Sequence, residues 1–389
     1  MRAYVFTDRA LAKHAGQFVW LGINGEKAVN AAFLRRYKLP AYPTYYVIDP
    51  VDSTVLIRWT GGASVAQLDQ FFAEQSAAYA RRRAGGAAPF TADLVLARAD
   101  SLYGAAQYAD AAAAFGQALA AAPPSWPSYG RAVDARLFSL SQADSAEACA
   151  SLAESALPHV RHTSSAANVA GSGLDCALQL PADSPRRAER VAALERACRE
   201  VLADSTLKLS GDDRSGLYIT LLDARDDAND SLGHQAVAER WSAYLDGEAA
   251  KARTPEARAV YDPHRLSAYI EIGHAERAIP MLEQSAREFP DDYNPPARLA
   301  LAYKALKRWD KALAASDVAM SKAYGPRKLT FYTARSDMYV GKGDVASARR
   351  TLEEALAYAQ ALPEGQRSKS TIASLQKRID KLKPQASGP

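Results

Sequence analysis

The sequence predicts a small α+β module followed by an all-α helical solenoid. Three observations support this fold class. A β-rich apolar run over 44–48 follows a proline near the N-terminus. Beyond Pro89, apolar residues recur at helical spacing almost to the end of the chain. Within this part, small residues recur at intervals of 34 and 36 residues, as from Ala278 to Ala312 and on to Ala348.

Neither the charge nor the hydropathy of the chain indicates nucleic-acid or membrane binding. The net charge is +4 and basic residues lie among acidic ones, so we expect no nucleic-acid partner. The sequence has no run of about twenty apolar residues, so we expect no membrane span. No charged segment followed by an apolar one opens the chain, which predicts a cytoplasmic protein as given. A longer form with a signal peptide would be periplasmic or secreted. The Ala- and Arg-rich composition favours a bacterial gene.

The residue types that most often carry chemistry form no recognisable site. Cys149, Cys176 and Cys198 contain no Cys-x-x-Cys pair and lie in Ala- and Leu-rich helical contexts, which predicts small buried thiols. His159 and His162 are three residues apart, but no third metal ligand stands at a recognisable spacing. The sequence therefore predicts no catalytic residue, no metal and no cofactor in the chain as given.

The first 84 residues are predicted to form one module. Its predicted elements are a helix over 3–15, a strand over 17–23, a helix over 28–38, strands over 44–48 and 54–59, and a helix over 65–79. The aromatic and β-branched composition of 44–48 favours a buried strand. Pro43 directly precedes it, and a proline cannot donate to a sheet ladder, so it belongs at a strand's first residue, an edge or a special turn.

This series of helix, Pro-Thr, strand, turn, strand and helix resembles the C-terminal half of a thioredoxin fold. In that family the proline before the threonine is cis and faces the redox site. The resemblance implies that Pro43 is this cis-proline and that the loop of Tyr42, Pro43 and Thr44 contacts a substrate strand through the Tyr42 backbone. The alternative is a trans proline in an ordinary loop, since only about one X-Pro bond in twenty is cis.

Two parts of the thioredoxin pattern are absent from this sequence, namely both redox cysteines and the first strand. One explanation is an N-terminally shortened gene product, whose longer form would be a thiol-disulfide oxidoreductase with its Cys-x-x-Cys upstream of Met1. The other is a natural non-redox remnant in which the two remaining apolar strands pair directly. The exposed strand edges favour the first explanation, but in the chain as given only a protein-interaction scaffold can operate and not an oxidoreductase.

The helical part of the chain resembles tetratricopeptide repeats (TPR). Small alanines let the two helices of each unit approach, while aromatic residues or leucines pack between units. The predicted divisions are a partial thioredoxin-like domain over 1–84, a linker over 85–91, a TPR unit over 92–125, degenerate helical repeats over 126–255, three TPR units over 259–363, and a cap helix with a tail over 364–389. Within the degenerate repeats, helices are predicted at 131–140, 187–202 and 236–245, and loops at 163–172, 181–184 and 210–215.

The TPR resemblance implies a protein-interaction scaffold that binds a peptide or a partner protein on a concave surface. The repeat offsets place eight residues on that surface: Asn294, Ala297, Leu301 and Lys304 from one unit, and Thr330, Thr333, Asp337 and Val340 from the next. The family's well-known clamp grips a C-terminal carboxylate with lysine and asparagine. Pro263 and Ser267 stand at two of the corresponding positions in the preceding unit, so that clamp is not reproduced and the class of ligand stays open.

Overall fold

A computed structural model describes residues 5–37, 39, 42–83 and 91–382 of the chain. These residues form two compact units. Unit 1 contains the residues up to Val19 and those from Leu39 to Val237, and unit 2 contains Trp20–Tyr37 and the residues from Ala238 onward. All but the last residue of the predicted linker over 85–91 lies outside the described residues, as do the start of the first predicted helix and the end of the predicted tail.

Unit 1 begins with a β-hairpin packed on a long helix. Strands β1 (Thr44–Ile48) and β2 (Val55–Thr60) pair antiparallel, with Thr44 opposite Thr60 and an irregularity after Val47. The helix, called α2 here (Val65–Arg83), begins with a capping box, because Ser64 Oγ accepts from the Gln67 amide at 3.2 Å and Gln67 Oε1 accepts from the Ser64 amide at 2.8 Å. Its apolar face, including Leu68, Phe71 and Phe72, packs against Ile57 of β2.

The N-terminal prediction is correct for the hairpin and for the helix over 28–38, which forms as a 3₁₀ turn followed by a short α-helix, and it is wrong for residues 3–23. The helix predicted over 3–15 is reduced to a 3₁₀ helix at Arg9–His14. The strand predicted over 17–23 does not form; Val19 is 89% exposed and Leu21 77% exposed. The described sheet consists of β1 and β2 alone, and residues 17–23 pair with neither strand. Without a strand partner, this exposed segment does not take up sheet structure. Strand β1 is half-buried along its length, so the prediction of a buried strand is also wrong.

The rest of unit 1 is a run of antiparallel helices. Its helices are α3 (Thr91–Gly104), α4 (Tyr108–Ala120), α5 (Tyr129–Gln142), α6 (Ala146–Val160), α7 (Ser165–Leu178), α8 (Arg187–Ala203) and α9 (Gly211–Asp227). The next helix, α10 (Ser231–Lys251), contains the boundary between the units. The three helices predicted at 131–140, 187–202 and 236–245 are confirmed.

Two of the three loops predicted in this region are helical. Helix α7 covers most of 163–172, and its glycines lie inside the helix, where they allow close packing instead of forming a loop. A Cβ on Gly173 would lie 2.4 Å from the Ala153 Cβ of α6, so the glycine lets the two helices approach closely. Ser210 starts α9 with a second capping box, formed with Asp213, so most of the loop predicted over 210–215 is the first turn of a helix.

Helices α6 and α7 are also joined covalently. Cys149 and Cys176 form a disulfide, with their Cα atoms 6.0 Å apart and the two cysteines 27 positions apart in sequence. The prediction of buried thiols is therefore wrong for this pair, because the folding of the two helices against each other brings together cysteines that no local motif relates. Cys198 is a buried free thiol, as predicted, and burial raises its pKa.

Unit 2 consists of a short N-terminal helix and a second series of antiparallel helices. The helices are α1 (Ala31–Arg36), α11 (Pro255–Ala259), α12 (Asp262–Glu271), α13 (Ala278–Glu288), α14 (Asn294–Ala305), α15 (Trp309–Lys322), α16 (Arg327–Lys342), α17 (Val345–Ala361) and α18 (Lys369–Lys381). The cap helix is confirmed as α18, which Ser368 caps by accepting from the Thr371 amide at 3.2 Å. Its Leu375 and Ile379 are buried against α17.

The same turn joins six helix pairs in the described part of the chain. In each, a residue with positive φ follows the first helix, and the next amide donates to the carbonyl five residues earlier, which is a Schellman motif. The six residues with positive φ are Ala106, Asp144, Asn229, Gly273, Lys307 and Gly343. Only two of them are glycines. The position of a glycine in the sequence therefore predicts only two of the six turns.

Within the described residues, no helix is both long and apolar enough to cross a lipid bilayer.

The non-glycine turns predict a stabilising substitution. Lys307 is exposed and has φ +54°, a backbone conformation that costs a side chain about 1–2 kcal/mol and costs glycine nothing. We expect Lys307→Gly to raise the free energy of unfolding by up to about 1 kcal/mol, measured by thermal denaturation. The control is Ala314→Gly on the exposed face of α15, which should lower it by about 1 kcal/mol. A loss of stability in Lys307→Gly would contradict the left-handed backbone conformation of residue 307.

The disulfide predicts the number of reactive thiols. In denaturant without reductant, thiol titration of the purified protein should find a single thiol, that of Cys198, and after reduction it should find all three. A Cys198→Ser variant should then show none before reduction. Three thiols in the unreduced protein would contradict the pairing of Cys149 with Cys176.

Candidate functional site

A groove between α14 and α16 is the candidate site of unit 2. These are the first helices of two successive pairs, and the repeat spacing places them side by side on one surface. The groove contains a cavity of about 170 Å³. Its floor is apolar, formed by Ala297, Leu301, Phe331, Ala334 and Met338. Leu301 is 37% exposed while Met338 is buried, so the groove presents an accessible apolar surface.

One end of the groove is basic. Arg327, the first residue of α16, and Arg298, in the first turns of α14, both line the cavity, together with Asn294. The Arg327 guanidinium carbon lies 5.8 Å from the centre of the Phe331 ring. The amino ends of two helices add partial positive charge at this end.

Arg298 is the most unusual side chain of the groove. It is partly buried, and acidic groups among the described residues act on its guanidinium only through their charge and not through a hydrogen bond. Burial lowers the pKa of Arg298, and the charges of Asp262 and Asp292 only partly offset this effect. Asp262 itself accepts from Ser285 Oγ at 2.6 Å. The groove therefore holds a partly buried cation that, among the described residues, has no hydrogen-bonded counter-ion.

The structure brings together some of the predicted concave residues and not others. Asn294 and Leu301 line the cavity. Lys304 and Asp337 lie outside it and pair with each other, with Lys304 Nζ 3.5 Å from Asp337 Oδ2, and Arg378 of α18 also bonds Asp337. Thr333 does not line the cavity. Sequence offsets missed Arg298 and Arg327, because they identify positions on the concave face and not the charges left unpaired there.

The predicted cis-proline loop lies in unit 1. The Tyr42–Pro43 peptide bond is cis, as predicted. Thr44 is the first residue of β1, and the Pro43 carbonyl accepts from the Gly61 amide at 2.8 Å. Tyr42 is 64% exposed. Contact of this loop with a substrate strand stays a prediction.

Sequence reasoning also missed a segment that we call the strap, residues 24–36, which lies against the loops between helix pairs in unit 2. Asn24 Nδ2 donates to the Tyr324 hydroxyl at 3.1 Å, and Gln366 Nε2 donates to the Gly25 carbonyl at 2.8 Å. The Tyr293 hydroxyl donates to the Glu26 carboxylate. The Tyr293 ring packs on Phe331 at 5.5 Å between ring centres, so the strap contacts a residue that supports the groove.

Two glycines make room for the strap backbone. A Cβ on Gly325 would lie 2.1 Å from the Glu26 carbonyl oxygen, and a Cβ on Gly365 would lie 2.0 Å from the Ala31 carbonyl oxygen. Both glycines stand in loops that follow the second helix of a pair. The strap therefore depends on small residues at these two positions, although nothing in the local sequence marks them as contacts.

Among the residues that the structure describes, no group of three or more His, Cys, Asp and Glu side chains could hold a metal ion. His159 instead packs edge-on against the Tyr129 ring, with 5.8 Å between ring centres.

Comparison with known proteins gives similarity in structure only. No protein-family model matches the chain and no curated protein matches its sequence. A tetratricopeptide repeat protein from Parabacteroides merdae is 9% identical with a TM-score of 0.46, over 74% of this chain and 98% of that one. The TPR2AB-domain:pHSP90 complex of yeast Sti1 is 16% identical with a TM-score of 0.27, over 75% and 96%. The APC/C hetero-tetramer Cut9-Hcn1 is 12% identical with a TM-score of 0.34, over 82% and 58%.

The contacts of the strap predict the effect of adding a methyl group at Gly365. Gly365→Ala should displace the strap, because the new Cβ cannot share space with the Ala31 carbonyl. We expect faster amide hydrogen exchange over residues 24–36 and a lower melting temperature. The control is Gly247→Ala in α10, where a Cβ meets no atom within 4 Å and should stabilise the helix by about 1 kcal/mol. Unchanged exchange over 24–36 in Gly365→Ala would contradict the docking.

Proposed function

We propose that this chain is a protein-interaction scaffold whose groove between α14 and α16 binds an extended peptide with an acidic group among apolar residues. The observation that carries the proposal is Arg298, a partly buried guanidinium in an apolar groove without a bonded counter-ion among the described residues. The helix pairs at intervals of 34 and 36 residues support a TPR-like scaffold around it.

Electrostatics selects the acidic group. Holding a charged group away from water is costly unless a hydrogen-bonded counter-ion accompanies it. A peptide carboxylate can accept two parallel hydrogen bonds from one guanidinium, the geometry for which arginine is best suited. Arg327 and the two helix amino ends add attraction at the same end of the groove. A basic ligand would meet these same charges with repulsion.

The size of the groove selects an extended segment over a folded surface. A cavity of about 170 Å³ holds one or two side chains. The floor of Leu301, Phe331 and Met338 provides the contact for an apolar side chain, and the basic end takes a carboxylate a short distance along the peptide. Recognition thus uses apolar burial for affinity and the guanidinium for orientation.

We also propose that the N-terminal hairpin and α2 are a non-redox thioredoxin-like remnant that helps to position the partner. The order of β1, β2 and α2 behind Pro43 supports this interpretation. The Cys149–Cys176 disulfide favours an oxidising compartment over the cytoplasm expected from the N-terminus.

The test is an array of peptides of about twelve residues, each printed with its Asp and Glu residues intact and with Asn and Gln in their place. We expect binding to members that combine apolar and acidic residues, and loss of binding in the amide versions. For the tightest peptide, Arg298→Gln should weaken binding at least about tenfold, as expected when a charge-assisted bond is removed. The control, Arg350→Gln on the exposed face of α17, should change nothing.

Equal binding of the acidic and amide peptides would contradict the role of the guanidinium. If Arg298→Gln is folded by circular dichroism and still binds the peptide fully, the groove is not the binding site and the proposal is wrong.

A further inference from the structure

A second cavity lies within unit 1, between the end of β2 and helices α3, α5 and α7. Its volume is about 170 Å³. Two side chains of opposite charge line it, Arg58 from β2 and Asp134 from α5, and aromatic side chains of Trp59, Tyr103 and Phe138 form much of the remaining wall. All of its lining residues belong to unit 1.

Arg58 brings a buried positive charge to this cavity. Arg58 is only 2% exposed. Its two terminal nitrogens donate to the carbonyls of Tyr103 at 2.5 Å and Gly104 at 3.3 Å, and its guanidinium carbon lies 4.1 Å from the centre of the Tyr103 ring. Its Nε is buried without an acceptor among the described residues, and no described carboxylate forms an ion pair with it.

The other arginine of the cavity already has a counter-ion. Arg131 bonds Asp100 at 2.8 Å, and Asp100 is 3% exposed. Asp100 is also close enough to Arg58 that the charge of Arg58 lowers its pKa, although burial raises that pKa overall. Two arginines therefore share Asp100, and Asp134 is the second carboxylate at the cavity. Only Nε of Arg131 is buried without an acceptor in the part of the chain that the structure describes.

Asp134 provides the opposite charge. Its Oδ2 accepts from Ser165 Oγ at 2.8 Å, but its Oδ1 is buried and no described residue donates to it. Burial raises the pKa of Asp134 to about 7, against the lowering effect of Ser165 and Asn168. Asp134 and Arg58 form no ion pair with each other. Each therefore keeps one atom, Nε of Arg58 and Oδ1 of Asp134, without a hydrogen-bond partner among the described residues.

We propose that this cavity binds a free α-amino acid, with its carboxylate at Arg58 and Arg131, its ammonium group at Asp134, and its side chain against the aromatic wall. A zwitterion matches a site whose cation and anion are not paired with each other, whereas a simple anion or a simple amine can pair with only one of them. Cavities of about this volume hold roughly a benzene-sized group, which corresponds to a small or medium-sized amino acid.

The test uses isothermal titration of the full chain with L-alanine, L-valine, L-leucine and L-phenylalanine at about pH 8, where Asp134 is ionised. L-Valine has two matched analogues, 3-methylbutanoate without the amine and isobutylamine without the carboxylate. We expect at least one of the four amino acids to bind below about 1 mM. Both analogues should bind at least about tenfold more weakly than L-valine, because each leaves a buried charge unpaired.

Three variants locate the binding. Asp134→Asn keeps the shape of the side chain and should remove the preference for L-valine over 3-methylbutanoate. Ala135→Leu, which fills the cavity without changing a charge, should abolish binding of every probe. Asp110→Asn, on the exposed face of α4 in the same unit, should bind like the unaltered protein. Circular dichroism checks that each variant is folded.

The proposal is overturned if none of the four amino acids binds to the folded chain, or if 3-methylbutanoate binds as tightly as L-valine. Unchanged binding by folded Ala135→Leu would equally overturn it, because the site would then lie elsewhere. Peptide binding at Arg298 is independent of all three outcomes.

Discussion

The helical part of the chain depends on one recurrent interaction, the Schellman turn between the two helices of a pair. Each turn commits one residue to a left-handed backbone and uses two amides to satisfy carbonyls that the end of the first helix would otherwise leave without partners. Because the chain leaves every such turn in the same direction, the second helix of each pair returns antiparallel to the first. The side-by-side placement of α14 and α16, and with it the groove, follows from this repetition.

Close approach of backbones is the second constraint, and it acts where helices or segments must touch. Gly173 allows α6 to pack against α7, where the Cys149–Cys176 disulfide joins the same two helices. Gly325 and Gly365 allow the strap to lie against the loops of unit 2. In all three places the absence of a side chain is what permits a tertiary contact, so the usual association of glycine with loops and helix ends gives little guidance here.

The two candidate sites share one electrostatic principle but differ in their balance of charge. The groove of unit 2 has Arg298 and Arg327 with no acidic group among its lining residues, which suits an acidic ligand. The cavity of unit 1 has Arg58 and Asp134, each with unused hydrogen-bonding capacity, which suits a zwitterion. In both, desolvation makes an unpaired charge costly in the empty site and so favours a ligand that completes the pair.

The sequence by itself determined the class of most elements: the hairpin after Pro43, the long helices beyond Pro89, and the recurrence at 34 and 36 residues all follow from local periodicity and turn chemistry. Only the tertiary structure decided that 17–23 is not a strand, that the Gly171–Gly173 region is helical, and that two of the three cysteines pair. It alone also decided which of the predicted concave residues line the groove and that Arg298 lies there without a bonded counter-ion. The physical reason is range: periodicity and capping act within a few residues, whereas sheet pairing, close helix packing, disulfides and uncompensated buried charges depend on residues that only folding brings together.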